Sequence, residues 1–109
     1  MANIDWSKLT FSYTKTNTIL RSTFKDGAWT PVESLTDDYI SLSAYAGALH
    51  YAIECFEGLK AYTTEDGRIV TFRPDLNAQR MEDSAKRLKM PVYPKDKFIE
   101  AVSEILKEN

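Results

Sequence analysis

Residues 49–80 read LHYAIECFEGLKAYTTEDGRIVTFRPDLNAQR, and this stretch decides the architecture. It predicts a short helix, a strand, a tight turn, a second strand and the start of a longer helix. The first helix is expected over residues 48–57, because Leu49, Ile53 and Phe56 recur at i, i+4 and i+7. Gly58 is then the left-handed residue that stops it. Residues 59–64 and 68–73 flank Glu65-Asp66-Gly67 and make the clearest hairpin of the chain. On its first strand Leu59, Ala61 and Thr63 face one way and Lys60, Tyr62 and Thr64 the other. Pro74 suits a first helical turn, where its missing N–H costs nothing, and Asp75 complements the positive end of the helix dipole.

Working towards the C-terminus, Ala78, Met81, Ala85 and Leu88 form the apolar stripe of that second helix, which ends near Lys89-Met90, before Pro91. Pro94 opens a third helix over residues 95–107, with Phe98, Val102, Ile105 and Leu106 on one face. The sequence stops at Asn109, just past this pattern. That leaves two readings open, a whole small domain or the front part of something longer.

Towards the N-terminus the signals are β-like. Residues 18–24 are β-rich, and Asp26-Gly27 between them and Ala28-Trp29 predicts a tight hairpin. Pro31 removes a backbone donor and ends the second strand. Residues 33–38 read as polar loop, residues 39–43 alternate as a further strand, and residues 41–47 are small and polar, a loop. Residues 11–15 alternate as a short strand, and residues 1–10 have no period, with Trp6 as an anchor for the start. Strands first and helices later define an α+β chain, a two-layer sandwich in which helices cover one face of an antiparallel sheet.

Composition narrows the class of function. With 109 residues, 43% apolar and 28% charged, the chain has the makings of one globular domain with a modest core. The net charge is −2 and the second half balances acids with bases, so no basic face for nucleic acid is present. No apolar run is long enough to span a membrane. The start, MANIDWSKLT, resembles neither a signal peptide nor a transit peptide. A single Cys allows no internal disulfide, which fits a cytoplasmic setting.

The chemistry-bearing residues are few. One His and one Cys fall short of the three or four ligands of a metal site. Without a second His, Cys55 reads as a small hydrophobe and not a nucleophile. Neither GxGxxG nor GxxxxGK[ST] occurs. Arg80 stands beside Asn77 and Ser84 on a polar strip flanking the apolar stripe, from which a guanidinium fork can reach an anion at the edge of the core. Spacing alone favours a plainer role, an ion pair with Asp83 at i+3. Tyr51 and Phe56, five apart, would point different ways on one helix, and Lys60 shares a strand face with Tyr62. Their plain readings are a half-buried aromatic, core packing, and a Lys stem lying on a ring.

The combination of LHY, FEGLKAY, FRPxxNxxRM and SAxRLxMP, in that order, closely resembles the branched-chain amino-acid aminotransferases, fold-type IV enzymes that use pyridoxal 5′-phosphate (PLP). The likeness is strong over residues 48–91, compatible up to residue 109 and loose over residues 1–40. It implies that Arg80 holds the cofactor phosphate. It implies further that Phe56 walls the substrate side-chain pocket, that Tyr51 completes the pocket of the neighbouring subunit of a homodimer, and that Lys60 lines the pocket. The family's Schiff-base Lys lies in a longer C-terminal part that this sequence lacks, so the resemblance implies an N-terminal small domain without activity of its own. The substrates implied are branched-chain amino acids and 2-oxo acids, with 2-oxoglutarate as the amino acceptor. Another fold-type IV enzyme, a D-amino-acid aminotransferase or a PLP lyase, and a non-catalytic dimerisation module remain as alternatives.

Overall fold

A computed structural model describes residues 5–8 and 10–109, and of Trp6 only the backbone. The expected role of Trp6 as an anchor therefore lies outside the described side chains. The chain is α+β, as its sequence pattern requires. Its strands pair in three separate two-stranded antiparallel ribbons, where the sequence suggested one sheet.

The first ribbon joins β1 (Ile19–Arg21) to β4 (Glu33–Leu35), with Leu20 opposite Ser34. The expected polar loop at residues 33–38 is thus a strand in its first half. Its pairing is tertiary in origin: Arg21 Nε donates to Glu33 Oε1 at 2.8 Å across the ribbon. The second ribbon, β2 (Phe24–Lys25) and β3 (Ala28–Trp29), is the expected tight hairpin. Its two connecting residues, Asp26 and Gly27, both have positive φ (52° and 82°), the pattern of a primed turn that matches strand twist. The strand ends at Trp29, two residues before Pro31. The third ribbon, β5 (Ala61–Thr63) and β6 (Ile69–Thr71), is the hairpin expected at residues 59–73. Thr64 and Arg68 close its turn, Thr64 N donating to Arg68 O at 2.8 Å.

Three expected elements are absent or shortened. Residues 11–15 and 39–43 form no strand, because local side chains take the backbone donors instead. Ser12 N donates to Thr10 Oγ1 and Tyr39 N to Asp37 Oδ1. Residues 48–57 are not a helix: α1 (Gly47–His50) is a single turn. Ala52 takes a left-handed φ of 51°, and the N–H groups of Tyr51 and Ile53 both return to the Gly47 carbonyl. Ile53 then folds over Gly47 so closely that a Cβ there would stand 2.8 Å from its Cδ1. Gly58 accordingly ends no helix, and Leu49, Ile53 and Phe56 form no helical stripe.

The long helices are as the sequence dictates. α2 (Pro74–Arg87) starts at Pro74 and α3 (Lys95–Glu108) follows Pro94. They pack on each other, and α3 also lies against β1. The core sits at this junction. Ala78 and Ala85 on α2 are buried, Met81 is half-buried, and Leu88, at 40% exposed, leaves the stripe early. Trp29 closes one side, its rings edge-on to Phe24 and Tyr93 and its Nε1 donating to Val92 O at 2.8 Å. The radius of gyration is 15.3 Å, against about 13 Å for a compact chain of this length, so the core is thin for its surface. Among the described residues, no helix is long and apolar enough to cross a membrane.

Candidate functional site

Arg80 leaves α2 one turn after Asn77, and both meet Glu57, which lies just before Gly58 in the irregular segment. Arg80 Nε donates to Glu57 Oε2 at 2.7 Å, and its Nη2 donates to Glu57 Oε1. Asn77 Nδ2 donates to Glu57 Oε1 and to the Gly58 carbonyl, each at 2.9 Å. The Glu57 side chain is 4% exposed, whereas that of Arg80 is 68% exposed. The Arg80 hydrogen bonds hold the Glu57 carboxyl below its usual range, against the burial that raises it, with Asn77 adding to the lowering. Glu57 in turn pushes the Arg80 pKa up.

The plain reading of Arg80 as a partner of Asp83 does not hold, since Asp83 Oδ1 accepts from Gln79 Nε2. The partner comes from 23 residues away in sequence. Sequence reasoning missed Glu57. No local signal singles it out, since Glu54 is a second carboxylate in the same run and Lys60 at i+3 is a nearer base than Arg80.

Lys60 stands at the edge of a cleft of about 490 Å³ that also takes in Leu59, Tyr62, Phe72 and Asn77. Asn77 thus connects this cleft to the Glu57–Arg80 pair. Tyr51 and Phe56 do not line it; they stand on the extended segment, 76% and 90% exposed. With no helix at residues 51–57, the argument that these two side chains must diverge on a helical wheel falls away. Cys55 behaves as expected of a small hydrophobe: it is half-buried, its Sγ 3.5 Å from Met81 Sδ, in an apolar cavity shared with Trp29 and Phe98.

A guanidinium carries five N–H donors in one plane. Among the described residues, Arg80 uses only its side edge, Nε and Nη2, towards Glu57. The end edge is free and solvent-facing, and two parallel N–H groups at that edge fit a pair of phosphate or carboxylate oxygens. The donor chemistry therefore fits one contact to a phosphorylated ligand.

These features define an α+β domain presenting one fixed cationic fork beside an apolar, aromatic-rich segment. No protein-family model matches the chain. It is 44% identical over all of its 109 residues to a branched-chain-amino-acid aminotransferase of Haemophilus influenzae, of which it covers 32%. It is 40% identical, again over its whole length and 32% of the relative, to the enzyme of the same name from Helicobacter pylori. A transaminase of Aspergillus rugulosus, htyB, is 39% identical over 94% of this chain and 27% of its own length. The chain is thus a homologue, along its whole length, of the branched-chain amino-acid aminotransferases, and it spans about a third of the length of the curated relatives it matches.

Proposed function

We propose that this chain is the N-terminal small domain of a PLP-dependent aminotransferase that moves the amino group between leucine, isoleucine or valine and 2-oxoglutarate. The observation that supports this most is the whole-length identity to enzymes of that name. The geometry agrees, because the one residue that the resemblance assigns to phosphate has an open edge for it.

The chain's residues would divide the work as follows. Arg80 binds the cofactor phosphate and so orients the ring. Phe56 and Tyr51 supply apolar wall for the branched side chain and keep water from it, Phe56 in its own subunit and Tyr51 in the neighbour of a cytoplasmic homodimer. Lys60 lines the pocket. When bound, PLP supplies an electron sink for the charge that develops at the substrate's α-carbon. The lysine that carries the cofactor and moves the proton belongs to a following domain, so the 109-residue chain alone has no activity.

The test is an assay of the full-length protein with PLP, leucine and 2-oxoglutarate, alongside the isolated chain. Glutamate formed by the former and not by the latter is expected. Turnover by the isolated chain would make it a complete small enzyme. A full-length protein that acts only on D-amino acids would move it to another branch of fold type IV. Within this reading Arg80→Ala weakens PLP binding about 10- to 150-fold, the worth of a charge-assisted contact of roughly 1.5–3 kcal/mol. Fluorescence titration of the apoprotein measures it.

A further inference from the structure

Glu57 is an ionised carboxylate whose side chain has almost no contact with solvent, held between Arg80 and Asn77 of α2. Burying a charge is costly unless it is paired and hydrogen-bonded. Here both oxygens are used: Oε2 by Arg80 Nε, Oε1 by Arg80 Nη2 and Asn77 Nδ2. Asn77 is itself anchored, because its amide also donates to the Gly58 carbonyl. The carboxylate is therefore tied to α2 twice, through Asn77 and through Arg80.

The docking is edge-specific. Glu57 takes the Nε and Nη2 side of the guanidinium, and among the described residues nothing takes Nη1. A long, 68% exposed Arg left to itself would sample many rotamers, whereas this one is pinned in a plane with its end edge outward. We infer that Glu57, backed by Asn77, is a positioning residue that presents the end edge of Arg80 to the phosphate of the cofactor. This inference rests on the proposed assignment of Arg80. Glu57 also cancels part of the Arg80 charge, which opposes anion binding. The anion would dock on the guanidinium edge turned away from the carboxylate, which keeps the two negative charges apart across the width of the guanidinium. Orientation is the larger effect, since a bidentate contact needs two N–H groups aimed at once.

The experiment uses the full-length apoprotein and two probes, PLP and pyridoxal, which lacks the phosphate. The readout is the ratio of the two affinities, so a general loss of folded protein cancels within each variant. Glu57→Gln keeps the shape and one acceptor but loses the charge and one Arg80 contact. It should lower the PLP-to-pyridoxal affinity ratio by about 5- to 20-fold. Glu57→Asp, which keeps the charge, should recover part of that loss, and it serves in place of Glu57→Gln if the latter fails to fold. In an Arg80→Ala background, Glu57→Gln should change the ratio no further. A ratio lowered by Arg80→Ala but unchanged or raised by both Glu57 variants overturns the positioning role and leaves the Arg80 assignment intact. A ratio untouched by Arg80→Ala overturns that assignment, and the inference with it.

Discussion

The helical pair α2–α3 and the segment at residues 36–60 use similar materials to opposite ends. On the helices apolar groups meet: Ala78 and Ala85 are buried, and Trp29, Tyr93 and Phe98 close over them. On the segment Tyr39, Tyr45, Tyr51 and Phe56 are each more than three-quarters exposed. The helices satisfy their own backbone and need only one partner face. The segment bonds its backbone through short local turns, to carbonyls at Ser43, Ala46 and Gly47 and to side chains at Asp37 and Ser43, and spends no aromatic ring on the core. Stability is therefore concentrated in one region and exposed aromatic surface in the other.

Three changes would break or sharpen that contrast. The largest effect should come from Trp29→Ala, which removes two edge-on ring contacts and the Nε1 bond to Val92 O. A loss of roughly 2–4 kcal/mol is expected, somewhat below that of a fully buried Trp. Phe56→Ala should cost less than about 0.5 kcal/mol in the same denaturant titration of the 109-residue chain. Equal losses would mean that the exposed segment is part of the core.

The second change concerns function. In the full-length protein, Tyr51→Ala and Phe56→Ala should each raise the KM for leucine, by about 10-fold for one apolar wall. Only the Tyr51 defect should be rescued across subunits. A mixed dimer, one protomer carrying Tyr51→Ala and the other lacking the cofactor lysine, identifies the donor. Activity restored in that pairing would place Tyr51 in the neighbour's pocket; activity still impaired would assign it to its own.

The smallest effect is acid dependence. The folded Glu57 carboxyl lies below its usual range, so its contribution is present above the unfolded pKa and fades as pH falls through the folded one. Glu57→Gln should flatten the stability profile of the chain below about pH 4.5 and leave its slope at neutral pH unchanged. An unchanged acid limb would show that the Arg80 pair contributes nothing to folding.

What was legible in the sequence follows the range of the forces involved. Asp26-Gly27, Pro74 and Pro94 act within a few residues, and the hairpin and both helices stand where they point. β4 was illegible because Glu33-Ser34-Leu35 has no strand character; it is a strand only because β1 lies beside it. The helix expected at residues 48–57 failed at Ala52, a good helix former whose left-handed turn is set by the fold of Ile53 over Gly47. At the site, the polar strip of Asn77 and Arg80 could be read from helical spacing. Glu57 could not, since its contact crosses two elements of undefined mutual orientation.

The side chain of Asn109 ties the end of α3 to the start of β1. Its Oδ1 accepts from the N–H groups of Asn17 and Thr18, and Nδ2 reaches the Thr18 and Ile105 carbonyls, while Glu108 accepts from Thr18 Oγ1 and Ser34 Oγ. The bonds to Asn17 and Thr18 join residues 90 to 92 apart in sequence. Such a clasp cannot form early on the ribosome: the first ribbon must wait, unlocked, until α3 has emerged, and the long loop between them must then be closed at an entropic cost. Native contacts of this span slow folding. Hydrogen exchange pulsed during refolding should find the amides of α2 protected before those of Thr18 and β1, with the clasp closing after the helices.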